Sequence, residues 1–337
     1  MGITYLVTGG THQLGYSIIK ELHNRNCRIR ALVAEDNPNI NLISDMAEIF
    51  YGDVKNVNSL ESFFDCPSTD DIYVIHCDTD VTTSTKFEQE VWDTNVAGTK
   101  NIINYSKTYH VTRMVYVTSV LALPENDEAE IITETNEYST RSVSGMYAKT
   151  TAAASMIVMD ACKEGLNASV VHHSALLGPD DYENSALTKL IYSYLQGTVP
   201  VNVEGGYDFV DVRDVALGTL SCLEKGRSGE SYILSNRYIT FKNLFDIIYA
   251  QNEVKEVYLT VPNWIIKISS PTIKAFSKLS GNHSLYTEYS FSILSDRGHF
   301  SHEKATAELN YHPRSIYETM DDMIAFVNEV YLADSKK

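Results

Sequence analysis

Val7-Thr8-Gly9-Gly10-Thr11-His12-Gln13-Leu14-Gly15 is the stretch on which the reading of this chain turns. A short apolar run, Ile3-Thr4-Tyr5-Leu6-Val7, precedes it, and a helix-forming run, Ser17 to Leu22, follows. Strand, glycine turn and helix form the context in which a dinucleotide pyrophosphate docks on a helix N-terminus. Gly9 and Gly15 suit the tight turn and the close backbone approach, while Thr11, Gln13 and Leu14 complete the loop that would wrap the phosphates. His12 stands where a third glycine is expected. Two readings follow. The imidazole fills the groove or faces solvent, or it turns outward and donates to the phosphates.

The alternation of elements continues outward from this turn. Strand-like runs lie at Arg28 to Val33, Ile49 to Tyr51, Ile72 to His76, Met114 to Val117 and Ala168 to His172. Helical patterns fall between them, at Val57 to Phe64, Phe87 to Lys107 and Met146 to Lys163. Such alternation predicts a parallel sheet with helices on both faces and a ligand at the carboxyl ends of its strands. Past Gly178-Pro179 the rhythm breaks. Residues 179–208 read as a loop and a helix, and Gly205 to Val215 and Ser231 to Leu234 as strands returning to the sheet. The tail from Tyr238 reads as mainly helical, with one helix over Asn263 to Leu279 behind Pro262. The expected division is a dinucleotide-binding domain over 1–178 and 209–235, interleaved with a substrate-binding domain over 179–208 and 236–337.

Composition narrows the function classes. The 337 residues carry a formal net charge of −17, which argues against nucleic acid or an anionic membrane as partner. Five scattered cysteines without metal-ligand spacing suit a reducing cytoplasm, and no metal site is expected. No apolar run is long enough to span a bilayer, and no signal peptide is expected ahead of the first strand.

These residues resemble the extended short-chain dehydrogenase/reductase family, within it the dihydroflavonol-reductase and nucleoside-sugar-epimerase branches. The likeness rests on Thr8-Gly9-Gly10 with Gly15, Gly52-Asp53-Val54, Asn95-Val96-Ala97-Gly98-Thr99, Tyr116-Val117-Thr118-Ser119, Phe209 to Ala216 and Phe300 to Ala305, in that order along nearly the whole chain. It implies an α/β fold, a Rossmann-type doubly wound parallel sheet with a smaller, mostly helical C-terminal substrate domain. It implies NAD or NADP as cofactor and a small-molecule carbonyl or secondary alcohol as substrate. It also implies a homodimer packed through the helices near Asn95 to Lys107 and Met146 to Lys163. A tyrosine carries the substrate proton, a lysine one turn later holds the nicotinamide ribose and lowers the tyrosine pKa, and a serine bonds the reacting oxygen.

Tyr147 and Ser119 match the tyrosine and the serine. Thr151 stands where the lysine belongs, and Lys149 falls on the wrong helix face. Without a cation, Tyr147 is expected to titrate near the ordinary tyrosine value of about 10. Thr151 is left with a hydroxyl for the ribose. The family motifs also place Asp53, Val54, His76 and Asn95 along the cofactor. Asp53 reads equally well as a turn former, and Asn95 as support for its helix. Asp78 departs from the pattern, since a carboxylate repels a pyrophosphate, unless it binds a ribose or substrate hydroxyl. His172-His173 also departs, with packing as its default role. Ser119 has its own plain reading, a turn serine satisfying backbone. After Val33 and Ala34 come Glu35 and Asp36, which disfavour a 2′-phosphate and favour NAD. The chain therefore reads either as an NAD(P)-dependent oxidoreductase acting on a small, largely apolar molecule, or as a catalytically impaired relative acting as a binding or scaffold dimer.

Overall fold

The opening run forms a strand one residue longer than its apolar core, β1 (Ile3–Thr8), and the glycine turn delivers the chain into α1 (Gln13–Asn24). The computed structural model of the chain describes residues 2–124, 131–199, 202–251, 260–261 and 298–332. After α1 come β2 (Arg28–Val33), β3 (Glu48–Tyr51), α2 (Glu61–Phe64), β4 (Asp71–His76), α3 (Gln89–Trp92), α4 (Thr99–Thr108), β5 (Arg113–Ser119) and α5 (Met146–Lys163). Then follow β6 (Ala168–His173), β7 (Ala175–Leu177), α6 (Ala186–Leu195), β8 (Asn202–Val203), β9 (Gly206–Asp211) and α7 (Val212–Lys225). The described chain ends with β10 (Ser231–Leu234), β11 (Arg237–Thr240), α8 (Phe241–Gln251), β12 (Thr260–Val261), α9 (Glu303–Leu309) and α10 (Ile316–Val327).

Seven strands form one all-parallel sheet in the order β3-β2-β1-β4-β5-β6-β10. This is the doubly wound Rossmann arrangement, whose strand order reverses between β1 and β4. A crevice opens at that point beyond the carboxyl ends of the two strands. Thr8 of β1 lies in register with His76 of β4, so the glycine turn and Cys77-Asp78 leave the sheet side by side.

Alternating side chains bury both faces of the sheet. Leu6, Val74, Met114 and Val170 pack on one side with Ile102 and Ile103 of α4 and Ala154 and Val158 of α5. Val7, Ile75, Val115 and Val171 pack on the other with Ile18 and Leu22 of α1 and Val215 and Leu220 of α7. Each such residue, withdrawn from water, contributes about 1.5–3 kcal/mol. α5 is buried along most of its circumference, leaving Lys149 and Met156 among its exposed positions.

Three expectations need correction. Gly205 to Val215 is not one strand. β9 stops at Asp211, whose carboxylate accepts from the Arg213 N–H at 2.8 Å and so caps α7. The spacing Val212, Val215, Ala216, Thr219 and Leu223 is helical and all of it is buried. Nor does β9 return to the main sheet. It pairs antiparallel with β11 and parallel with β7 in a separate three-stranded sheet, and only β10 joins the main one, beside β6. The expected helix over Phe87 to Lys107 is interrupted by a π-helical turn, Asp93–Gly98, between α3 and α4. The helix expected over Asn263 to Leu279, with the apolar run Trp264 to Ile268, lies outside the described residues, as does the acidic stretch 125–130. All five cysteines are free thiols. Among the described residues, no helix is long and apolar enough to cross a membrane.

Candidate functional site

Backbone crowding fixes the glycine turn. Gly9 has φ +69°, and a Cβ there would meet the Cys77 carbonyl oxygen at 2.7 Å. A Cβ on Gly15 would meet the Gly9 carbonyl oxygen at 2.0 Å. Position 12 has neither constraint. His12 is the N-cap of α1 with extended backbone (φ −78°, ψ 158°), a conformation any residue adopts. Its side chain makes no capping bond, and the first turn of α1 holds no acid. The positive end of α1 therefore faces the crevice with its first N–H groups uncapped by a side chain.

The His12 imidazole points across the crevice instead. Its Nδ1 lies 2.9 and 2.8 Å from the two carboxylate oxygens of Glu183, and its Nε2 lies 3.8 Å from Asp78. These two carboxylates hold the imidazolium and push its pKa up to about 10, against the opposing pull of burial. Both His12 and Glu183 remain roughly two-fifths exposed, so water screens much of this pairing. The rest of the turn is tied down. Thr11 is buried and accepts from the Asn37 amide at 3.0 Å, Leu14 is in the core, and the Gln13 amide donates to the carbonyls of Gly178 and Pro179.

The loop after β4 connects this turn to the second half of the site. Asp78 faces His12, and the neighbouring Thr79 side chain lies beside the Tyr147 phenol. Asp80 is clasped by Asn95, whose Oδ1 accepts from the Asp80 N–H at 2.7 Å and whose amide donates to the Asp80 carbonyl at 2.9 Å. Asn95 lies in the π-helical turn, wholly buried, and also donates to Thr150 of α5 at 3.0 Å. Its side chain thus sets the loop against the tyrosine helix and does not itself face the crevice.

Tyr147 opens α5, which packs along the turn Val120–Ala122 that directly follows Ser119. The Ser119 hydroxyl accepts from the Leu121 N–H at 3.2 Å, and Ser119 is 7% exposed at the end of β5. Tyr147 departs from the sequence expectation. Its phenol does not titrate near 10, because burial raises its pKa to about 12 and the nearby Thr79 side chain offsets this only in part. No cation among the described residues contributes to that shift, and Lys149 is exposed. Thr151 is fully buried, and its hydroxyl bonds back to the carbonyls of Tyr147 and Ala148, both at 3.0 Å. Its one proton is committed to the helix rather than offered to a ribose.

Five further positions serve structure in the described state. His76 is fully buried, its Nδ1 2.7 Å from the Thr8 hydroxyl and its Nε2 2.9 Å from the Thr99 hydroxyl, so neither nitrogen is left for a ligand. Asp53 folds onto its own loop, accepting from the Lys55 N–H at 2.8 Å and pairing with its ammonium at 3.5 Å. Val54 is buried against Gly98, where an added Cβ would meet its methyl at 2.6 Å. His172 bonds the Tyr138 hydroxyl at 2.8 Å and the Ser119 carbonyl at 3.2 Å, while His173 faces the other way, toward the Ser174 carbonyl.

Burial keeps His76 and His172 neutral, pushing each pKa down to about 4. The unfolded chain takes up these protons near 6.5. Each imidazole therefore favours the folded state fully above pH 6.5, and that contribution is lost as pH falls toward 4. The buried Asp208 carboxyl, pushed up to about 7 by burial, titrates with the opposite sign across the same window. Individual imidazoles are thus the informative readout. In ¹⁵N NMR at pH 5.5, His76 and His172 should remain neutral, while His12 should stay protonated at pH 8. A midpoint near 6.5 for any of the three would contradict the burial or pairing described.

Sequence reasoning missed Glu183, Thr79 and Asn37. All three act through contacts with distant residues, and no local motif marks them. With this geometry in view, comparison with known proteins is specific. Residues 5–235 match the model of the NAD dependent epimerase/dehydratase family. A Synechocystis protein named as a candidate dihydroflavonol 4-reductase is 23% identical over 98% of this chain and 97% of its own length. Sterol demethylase protein B of Methylococcus capsulatus is 24% identical over 97% of this chain and 99% of its own. The crystal structure of gox2253 superposes with a TM-score of 0.83 at 26% identity, covering 98% of each chain.

Proposed function

Since the chain belongs to the NAD dependent epimerase/dehydratase family, we propose that it is an NAD(P)-dependent reductase of a ketone or aldehyde on a small, largely apolar molecule. The uncapped N-terminus of α1 and the two Cβ-intolerant glycines fit a dinucleotide pyrophosphate. Glu35 and Asp36, both exposed beyond β2, favour NAD over NADP. When bound, the nicotinamide would supply the hydride. Tyr147 then gives its phenolic proton to the oxygen as negative charge develops there, and Ser119 donates a hydrogen bond to the same oxygen. We assign substrate binding to 179–208 and 236–337. The names of the two relatives, a dihydroflavonol reductase and a sterol demethylase component, support an apolar ring system as substrate.

The observation that carries this reading is the buried phenol of Tyr147, to whose titration no cation among the described residues contributes. A phenol held near pKa 12 still protonates an alkoxide readily. As a base it is almost unavailable at pH 7, where only about one molecule in 10⁵ is ionised. Alcohol oxidation, and epimerisation that begins with it, therefore need a form of Tyr147 that is scarce at pH 7. The experiment is a panel of ring ketones and their alcohols with NADH, NADPH and the oxidised forms. Reduction should proceed at pH 7. The rate of the reverse reaction should climb about tenfold per pH unit without levelling off below pH 10. A plateau near pH 7 would show a depressed tyrosine pKa and contradict this reading.

The second reading, a dinucleotide-binding or scaffold dimer without turnover, draws on Thr151. Its committed hydroxyl supplies neither charge nor a donated bond to a ribose. Tight NADH binding with no turnover on any carbonyl would favour it.

A further inference from the structure

Glu183 is held over the glycine turn by more than its bond to His12. It lies on the segment leading from Gly178 to α6, and the start of α1 grips that segment at several points. Gln13 donates to the Gly178 and Pro179 carbonyls, Lys20 pairs with Asp180 at 2.8 Å, and the Tyr16 ring meets Tyr182 edge-on at 5.7 Å. Tyr182 is backed by Phe326 of α10. The anchored loop thus presents one carboxylate to the His12 imidazolium beside the open N-terminus of α1, with Asp78 on the imidazole's other nitrogen.

The charge balance is unfavourable for an incoming phosphate. One imidazolium and two carboxylates leave the cluster at −1, at the place where the dinucleotide reading puts a doubly charged pyrophosphate. The Nδ1–H that is bonded to Glu183 is also not free to bond a phosphate oxygen, and the Nε2–H faces Asp78 at 3.8 Å. We propose that the His12–Glu183 pair is an internal stand-in for the cofactor's pyrophosphate. Glu183 occupies the anion's place against His12, and the dinucleotide binds by displacing Glu183 and taking over its bond to the imidazolium. Position 12 is then a phosphate ligand gated by its own counter-ion. The bulk of the imidazole is secondary, because the backbone there is extended and unstrained and the ring reaches across to Glu183. This inference rests on the dinucleotide-binding reading and adds the residues that set its affinity.

The test is equilibrium binding by calorimetry of NADH, ADP-ribose and adenosine to the wild type, Glu183→Gln and the double variant His12→Gly/Glu183→Gln. Glu183 is well exposed, so its replacement leaves the core untouched, and thermal melting checks this. Glu183→Gln keeps the shape and removes one charge. It should tighten NADH and ADP-ribose about tenfold, more at low salt, and leave adenosine unchanged. The double variant should lose that gain, since the imidazolium is what receives the phosphate. If the wild type binds NADH and Glu183→Gln binds it no more tightly, the stand-in inference fails and the dinucleotide reading survives. If adenosine gains as much as ADP-ribose, the effect is not on the phosphate and the inference also fails. If no protein binds NADH or ADP-ribose at millimolar concentration, the dinucleotide reading itself fails and takes the inference with it.

Discussion

Tyr147→Phe is expected to lower kcat/KM for carbonyl reduction by about 10²- to 10⁴-fold, the usual contribution of a positioned proton donor. The argument runs from burial to chemistry. The ring is 6% exposed and packed at the start of α5, and the substitution removes one oxygen and leaves the packing. The hydroxyl lies beside the Thr79 side chain, so the structural cost of removing it is at most that of one neutral hydrogen bond, about 1 kcal/mol. NADH affinity and the urea midpoint should therefore change little while turnover collapses. Steady-state kinetics with parallel NADH titration make the check. A variant that keeps more than a tenth of its activity would remove Tyr147 from the proton-transfer role. The same burial explains why Thr151→Lys is not a simple repair. Position 151 is fully enclosed, and an ammonium placed there has to be desolvated before it can act on the phenol.

Gly15→Ala should be the most damaging single methyl group in the groove. Its Cβ would lie 2.0 Å from the Gly9 carbonyl oxygen and 2.8 Å from the Gly10 Cα, so backbone has to move. The expected cost is about 3 kcal/mol, at the upper end for overpacking. NADH affinity should fall at least a hundredfold, because the displaced turn carries the N–H groups of α1. Gly10→Ala is the comparison. Its Cβ would meet the tip of the Ile19 side chain at 2.6 Å, which can rotate aside, so it should cost about 1–2 kcal/mol. Urea unfolding and NADH titration of the two variants measure the difference. Equal effects would mean that the turn is not held by the contact between Gly15 and Gly9.

The main sheet was legible because its signal is local. Leu6 and Val7, or Ile75 beside Val74, send adjacent side chains to opposite buried faces, and the glycines of the turn announce the crowding around them. The missing charge at Thr151 and the wrong face of Lys149 could also be read from spacing alone. What failed depended on the third dimension. The Phe209 to Val215 run alternates well enough to pass for a strand, yet the Asp211 cap turns it into a helix at Val212. No described residue brings a cation to Tyr147, and its titration is set by burial that no residue pattern discloses. His12 could be weighed only between bulk and phosphate ligand, because its partner Glu183 lies 171 residues away. Motif position places His76 and Asn95 near a cofactor, and reads Asn95 also as support for its helix, but gives proximity and not orientation. Their polar atoms are spent holding β1, β4 and α5 in place.

The central claim is that the crevice beyond β1 and β4 holds a nicotinamide dinucleotide on the N-terminus of α1. A crystal structure of the protein grown with NADH tests it most directly. The account predicts the pyrophosphate within hydrogen-bond distance of the first N–H groups of α1, with His12 bonded to a phosphate oxygen and Glu183 swung away. Density for the dinucleotide elsewhere, or a crevice without it while His12 and Glu183 stay joined, would contradict it.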